Sequence, residues 1–414
     1  MISNYLGEYF RRSRSQSAAT LSLSNRLGRI RFDGSSVISG IIVLMFASYY
    51  FSLARVNGVY FFYSVAHRIL IPILGLYLVF LRSRGKRLLY CSELLAGFGL
   101  IIALGLITSF CFIVNGTWSD KFWDGIFYLA WPMLLGFIII NLFKKRQISN
   151  LMTGILACTF AAYCLDLGNQ GALSISGFSS ISLSTSYSPF ESSPFSGISF
   201  ALAAYFCVNR DRKISRAVSV LFCFMTFKRV FLLFLPILFF GGMSSKIAKT
   251  MPSKGSWAIC AIATVVCSIL YFFLLLPDNT ALLDAFLTDK FGLDIFQFTM
   301  GRDTQLYSLL LSGYESYGYM STLMWNENYV EMEFCRIFLE TGVLGVSAFA
   351  FYFWYISRNN RYSLLYMSAL IINLIMSWSL SSFNDWFLSY IVLYSIQMVS
   401  TDNCATSWAD KRLN

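Results

Sequence analysis

Four cations stand inside long apolar stretches of this chain: Arg68 in VYFFYSVAHRILIPILGLYL, Lys228 and Arg229 in AVSVLFCFMTFKRVFLLFLPILFFGGM, and Arg336 in MEFCRIFLETGVLG. A charge at mid-membrane depth costs roughly 2.5–3.5 kcal/mol on insertion scales, so such residues pair with acids or line a polar path. Arg336 has acids at hand, because Glu333, Arg336 and Glu340 recur at i, i+3 and i+7 and share one helical face. Cations facing outward with few membrane acids around them suit a diphosphate. The planar fork of Arg matches phosphate oxygens bidentately. Anion binding and internal ion pairing both stay open for the set.

The other chemistry-bearing residues lie in TMGRDTQLYSLLLSGYESYGYMSTLMW. Arg302 opens that stretch, and Tyr314, Tyr317, Tyr319 and Trp325 follow it as carbohydrate contacts, since sugar C–H faces pack on aromatic rings. The same residues would also form an interfacial aromatic belt. His67, the only histidine, reads as a structural hydrogen-bonder. A metal site needs clustered His or carboxylates, and the acidic segment holds no DxD or DxxD, so no metal is expected.

These side chains need a scaffold, and composition says which kind. The 414 residues are 57% hydrophobic, 18% aromatic and 13% charged, against about a quarter charged in soluble domains. Windows of roughly twenty apolar residues, such as Trp257 to Leu276, satisfy the length of a spanning helix. The net charge of +11 sits in short clusters between apolar runs, at 82–87, 144–146, 210–216, 244–254 and 358–361. That is positive-inside topology rather than a nucleic-acid surface. The ten cysteines show no metal-ligand spacing, and none lies between Pro277 and Met332. The N-terminus lacks an apolar leader with a cleavage site, so the first span is expected to act as an uncleaved signal-anchor.

Alternating sides gives spans at 36–54, 59–81, 91–114, 122–143, 148–166, 196–208, 257–276, 333–356, 363–381 and 386–400. The Ser-rich stretch from Ser174 to Ser196 reads as an outer connector. The run 217–243 breaks the parity unless it is two half-length helices meeting at Lys228 and Arg229, with the tip buried against protein or water. The acid-rich segment 277–332 falls on the outer side. The expected architecture is therefore an all-α polytopic membrane protein of about twelve membrane helices. It comprises a cytoplasmic tail 1–35, one transmembrane domain 36–400 with the periplasmic loop 277–332, and a cytoplasmic tail 401–414. Glu333 and Arg336 should sit near the mouth of a polar site with Glu340 as the partner of Arg336. Gly342 and Gly345 should admit a second helix closely.

Three stretches resemble the O-antigen polymerase family, within the O-antigen polymerase/ligase superfamily. TFKRVFLLFL (226–235) is similar to its short-helix tip with a buried basic residue. GRDTQLYSLLLSG followed by YGYMST resembles its outer-loop Gly-Arg and Arg-x10-Gly pattern. EMEFCRIFLETGVLG resembles its acidic or His-Asn start followed by Glu-x-Gly-x-x-Gly. The resemblance covers roughly 190–380. Ligase-like members carry His-Asn where this chain has Glu331-Met332, which favours polymerase.

The resemblance implies a metal-independent, cofactor-free glycosyltransferase of the bacterial inner membrane, both termini cytoplasmic. It would polymerise undecaprenyl-diphosphate-linked oligosaccharide repeats into O-antigen or a related surface polysaccharide at the periplasmic face. Its implied associates are a chain-length regulator and a flippase. Arg229 and Arg302, supported by Lys228, Arg336 and Arg68, would hold the diphosphate. Glu333, then Glu331 and Asp303, would be the base. The alternatives are an O-antigen ligase acting on lipid A–core and a lipid-linked oligosaccharide flippase. The single acid-rich loop and the lack of internal symmetry count against the flippase.

Overall fold

The computed structural model describes residues 34–54, 60–85, 88–174, 190–209, 212–243, 252–253, 255–292, 294–299, 301–326, 330–377, 379–380 and 382–410. The N-terminal tail, Arg55, most of the Ser-rich connector, most of the basic segment 244–254, Arg210 and Glu327 lie outside the described residues. Among the described residues the chain is helical and has no strand.

Six helices open the chain: α1 (Gly34–Leu53), α2 (Tyr60–Ser83), α3 (Cys91–Asn115), α4 (Phe122–Leu142), α5 (Lys145–Asn169) and α6 (Ser193–Val208). The middle holds α7 (Lys213–Met225), α8 (Arg229–Met243) and α9 (Ser256–Leu274). Four short helices follow, α10 (Pro277–Phe291), α11 (Ile295–Thr299), α12 (Arg302–Leu311) and α13 (Ser321–Asn326). The chain ends with α14 (Glu333–Ser357), α15 (Arg361–Met376) and α16 (Phe383–Asp410).

Seven helices are long and apolar enough to cross a membrane by length and composition: α1 to α5, α9 and α14. This is the architecture of a polytopic membrane protein. Side-chain placement agrees with it. Helix α6 is apolar and buried from Phe195 to Val208, so it belongs at the centre. It packs against α7, α8 and α16, while α16 also packs on α4, and α14 packs on α3, α9 and α15. The outer helices turn large apolar residues away from protein, among them Ile102, Leu106 and Ile113 on α3 and Ile259 and Leu270 on α9.

Local chemistry explains the joints that position the site. Run 217–243 divides at Thr226–Lys228 into α7 and α8, about 20 Å and 22 Å long at 1.5 Å per residue, against a hydrocarbon core of about 30 Å. Pro277 occupies the first turn of α10, where its missing N–H is harmless. The Asn360 side chain accepts from the backbone N–H of Tyr362 at 2.7 Å and starts α15.

The segment 277–332 carries α10 to α13, helix α15 covers Arg361–Met376 where the sequence suggests 363–381, and α16 runs on through 401–410. One expectation is corrected. Neither glycine of the TGVLG run admits another helix. Gly342 has φ 64° and ψ −162° and breaks α14 internally, a conformation that suits glycine alone. A Cβ there would meet nothing within 4 Å, and one on Gly345 would strike Thr341 of the same helix.

Candidate functional site

The break between α7 and α8 is held rather than slack. Phe227 takes a left-handed conformation, φ 54°, which a bulky residue adopts only when its surroundings enforce it. Those surroundings are visible. The Tyr163 hydroxyl of α5 lies 2.8 Å from the carbonyls of both Phe190 and Met225. Thr226 contacts Ser199 of α6, Oγ to Oγ1 at 3.2 Å, and its carbonyl accepts from Ser192 N–H at 3.4 Å. The end of α7 is thus tied to α5 and to the start of α6, and the break presents Lys228 and Arg229.

These two cations meet a third from far along the chain. Arg302, the first residue of α12, lines the same small cavity of about 60 Å³ as Lys228, Arg229, Glu191 and Ser377. Lys228 is only 6% exposed. Arg302 donates through Nε and Nη2 to Glu331 Oε2, at 3.0 and 2.6 Å, and through Nη1 to the Thr299 carbonyl at 2.9 Å. The Glu331 side chain stays 49% exposed. Three cations against two carboxylates leave the pocket electropositive. Glu331 occupies the Nε–Nη2 edge of the guanidinium, the edge whose planar fork suits carboxylate or phosphate oxygens. Asp303, beside Arg302, accepts from Thr299 Oγ1 at 2.5 Å and is a local helix-start contact.

Glu333 and Arg336 are not at the mouth of this pocket. Both are 0% exposed, and Glu340 is 1% exposed. Arg336 Nη1 donates to both Glu340 oxygens, at 2.8 and 2.7 Å, and Nη2 donates to Glu333. Glu340 also accepts from Met320 N–H (2.8 Å), Thr322 N–H (3.2 Å) and Thr322 Oγ1 (2.5 Å). The Tyr319 ring lies 5.3 Å from the guanidinium. The YGYMST turn therefore lies over the ion triad and seals it. That lid depends on Gly318, at φ 97°, where a Cβ would lie 2.7 Å from the Cα of Thr108 on α3. The spacing of the three charges was legible, but the turn that covers them was not.

The aromatic candidates separate into two groups. Tyr314, Tyr317 and Trp325 cluster, with Trp325 6.0 Å from Tyr314 and 6.2 Å from Tyr317 between ring centroids. Tyr314 hydroxyl contacts Ser321 Oγ at 2.6 Å, and Trp325 Nε1 donates to Ser312 Oγ at 2.7 Å. Burial, and then the nearby Glu340, push the Tyr314 phenol well above its ordinary range, so it acts as a neutral hydrogen-bonding group. Tyr319 is buried against the triad and is a packing residue.

Arg68 joins neither group. It lines a separate cavity of about 590 Å³ with His67, Phe127 and Asn384, and its guanidinium stands 6.0 Å from the Phe127 ring centroid. Two pocket residues escaped the sequence reading. Glu191 was detectable as the lone acid of the Ser-rich connector. Asn384, beside Asp385 in the first turn of α16, carries no charge to single it out. Among the described residues no group of three His, Cys, Asp or Glu side chains could hold a metal ion. No protein-family model, curated protein or solved structure matches this chain.

Proposed function

We propose that this protein polymerises undecaprenyl-diphosphate-linked oligosaccharide repeats at the periplasmic face of the bacterial inner membrane. In this reading about twelve helices lie in the membrane, α7 and α8 form a re-entrant pair, and 277–332 lies over the outer end. The observation that carries it is the convergence of Lys228, Arg229 and Arg302 from two distant segments on one pocket, with Glu331 at its edge.

The chemistry assigns each group a task. An acceptor sugar hydroxyl attacks the anomeric carbon of the donor, and the C–O bond to the diphosphate breaks with inversion. The leaving diphosphate takes the electron pair, and its growing charge is met by the three cations, already oriented before reaction. The acceptor proton goes to a carboxylate. Glu331 takes this role in place of Glu333, because it is exposed beside the cations whereas Glu333 is sealed against Arg336. Arrival of the diphosphate draws Arg302 onto phosphate oxygens and releases Glu331 to accept a proton.

The test is Arg229→Ala and Arg302→Ala in the native strain, with membrane levels of the protein measured in parallel. Collapse of the surface polysaccharide to single repeats at normal protein level is expected. Persistence of long chains overturns the proposal, and loss of all glycan from lipid A–core points instead to a ligase.

A further inference from the structure

The cavity around Arg68 has walls and polar groups that the cationic pocket does not use. Its volume is about 590 Å³, and its lining draws on α1, α2, α4 and the start of α16. Trp123, Phe127, Tyr63 and Phe383 supply aromatic surface, and the ring of His67 packs 5.1 Å from Phe383 and 5.0 Å from Tyr63 between centroids. Asn384 lines it at 1% exposure. Neither its Oδ1 nor its Nδ2 has a hydrogen-bond partner among the described residues. Buried carboxamides with both ends unsatisfied are rare in folded proteins, and point to a ligand or water that the site is shaped to hold.

The polar groups select the ligand class. His67 Nδ1 lies 2.7 Å from the Tyr63 carbonyl. A carbonyl only accepts, so Nδ1 carries the hydrogen, and Nε2 of the neutral ring is an acceptor. Asn384 offers one acceptor and two donor hydrogens, and Arg68 offers donors alone. A phosphate oxygen only accepts, so it brings no proton to His67 Nε2, and the Asp124 carboxylate on the same lining would repel it. A hydroxyl both donates and accepts and satisfies all three groups. Aromatic walls with electron-rich faces suit the C–H face of a sugar ring.

We propose that this cavity is a pyranose-binding subsite, in which Asn384 and His67 take ring hydroxyls and Arg68 donates from the rim. Its position relative to the cationic pocket follows from one connection. Ser377 lines the cationic pocket and Ser382 lines this one, so those two backbone points are at most roughly 18 Å apart along five residues. A sugar seated here lies within one oligosaccharide of the diphosphate site. The origin of that sugar in a lipid-linked glycan rests on the polymerase reading, whereas the binding itself does not.

The experiment uses the full chain in lipid nanodiscs and ligand-observed saturation-transfer NMR. The probes are methyl glucoside, galactoside, mannoside and rhamnoside, oligosaccharide released by mild acid from the host's own surface polysaccharide, and inorganic diphosphate. At least one sugar probe is expected to bind. Asn384→Ala should weaken it at least tenfold and Arg68→Gln at least threefold, while Arg302→Ala leaves it unchanged. Trp123→Ala, at a 69% exposed rim position, should also weaken binding and guards against a folding defect in the Asn384 variant. No binding by any sugar, equal binding by all four variants, or displacement of the sugar by diphosphate overturns the proposal. Sugar binding that survives in a strain whose polymer is indifferent to Arg302→Ala would remove the catalytic reading and leave this subsite standing.

Discussion

Replacing Arg336 with alanine removes the guanidinium that Glu333 and Glu340 share, at 0% and 1% exposure. The guanidinium makes three charge-assisted hydrogen bonds to the two carboxylates and stands over the Tyr319 ring. Breaking a buried ion cluster by deleting one member costs about 3–5 kcal/mol, chiefly from the charges left uncompensated. The ring contact adds about 1 kcal/mol. A loss of this size lowers the folded-to-unfolded ratio by roughly three to four decades at 1.4 kcal/mol per decade. It consumes a large part of an ordinary domain's stability.

The discriminating comparison is with two further variants. Glu333→Gln removes one carboxylate but keeps a hydrogen-bonding side chain and leaves Arg336 paired with Glu340, so stability should fall by less than in Arg336→Ala, by about 1 kcal/mol. The triple variant Arg336→Met, Glu333→Gln, Glu340→Gln removes every charge and should recover most of the loss from Arg336→Ala. The assay is apparent melting of purified protein in one detergent, with recovery from membranes as a second readout. Wild-type stability for Arg336→Ala would refute the structural account of the triad. Stable Glu333→Gln protein that makes no polymer would return the base to Glu333.

Other outcomes follow from the same contacts. Gly318→Ala drives a Cβ to 2.7 Å from the Thr108 backbone at a positive φ, and should cost about 1–3 kcal/mol of stability by melting. Tyr163→Phe strips the hydroxyl shared by the Phe190 and Met225 carbonyls. It should cost about 1–3 kcal/mol and speed hydrogen exchange at the break beside Lys228, whereas unchanged exchange there would show that the tie does not hold it. Arg302→Lys keeps a charge but loses the fork that grips Glu331 through two nitrogens. Polymer length should therefore drop while protein level holds, and wild-type length would dismiss bidentate recognition. Glu331→Gln should abolish chain growth with little change in melting, as its side chain is half exposed.

Much of this arrangement was legible from residue types, for reasons that also mark the limit. A single crossing by 217–243 would put the basic segment 244–254 outside and the acid-rich 277–332 inside, so side alternation calls for a break, and Lys228 and Arg229 mark where it falls. The i, i+3, i+7 spacing of Glu333, Arg336 and Glu340 likewise forced them onto one face. Periodicity says which face a residue occupies, but not what covers that face. Whether Glu333 was open or sealed depended on the Gly318–Thr322 turn, which folds across from another segment. The meeting of Arg302 with Lys228 and the orphaned amide of Asn384 are tertiary facts of the same kind. Gly342 misled for a simpler reason, since small-residue spacing serves equally for close helix contact and for a backbone conformation that needs no Cβ.

The central claim is that Lys228, Arg229 and Arg302 grip a lipid diphosphate. Native mass spectrometry of the purified full chain, loaded with undecaprenyl diphosphate and with undecaprenol, tests it most directly. Wild type should retain the diphosphate over the alcohol, with at least a tenfold loss in Arg229→Ala and Arg302→Ala and no change in Arg68→Gln. Equal retention of both lipids, or diphosphate binding indifferent to Arg229 and Arg302, would contradict it.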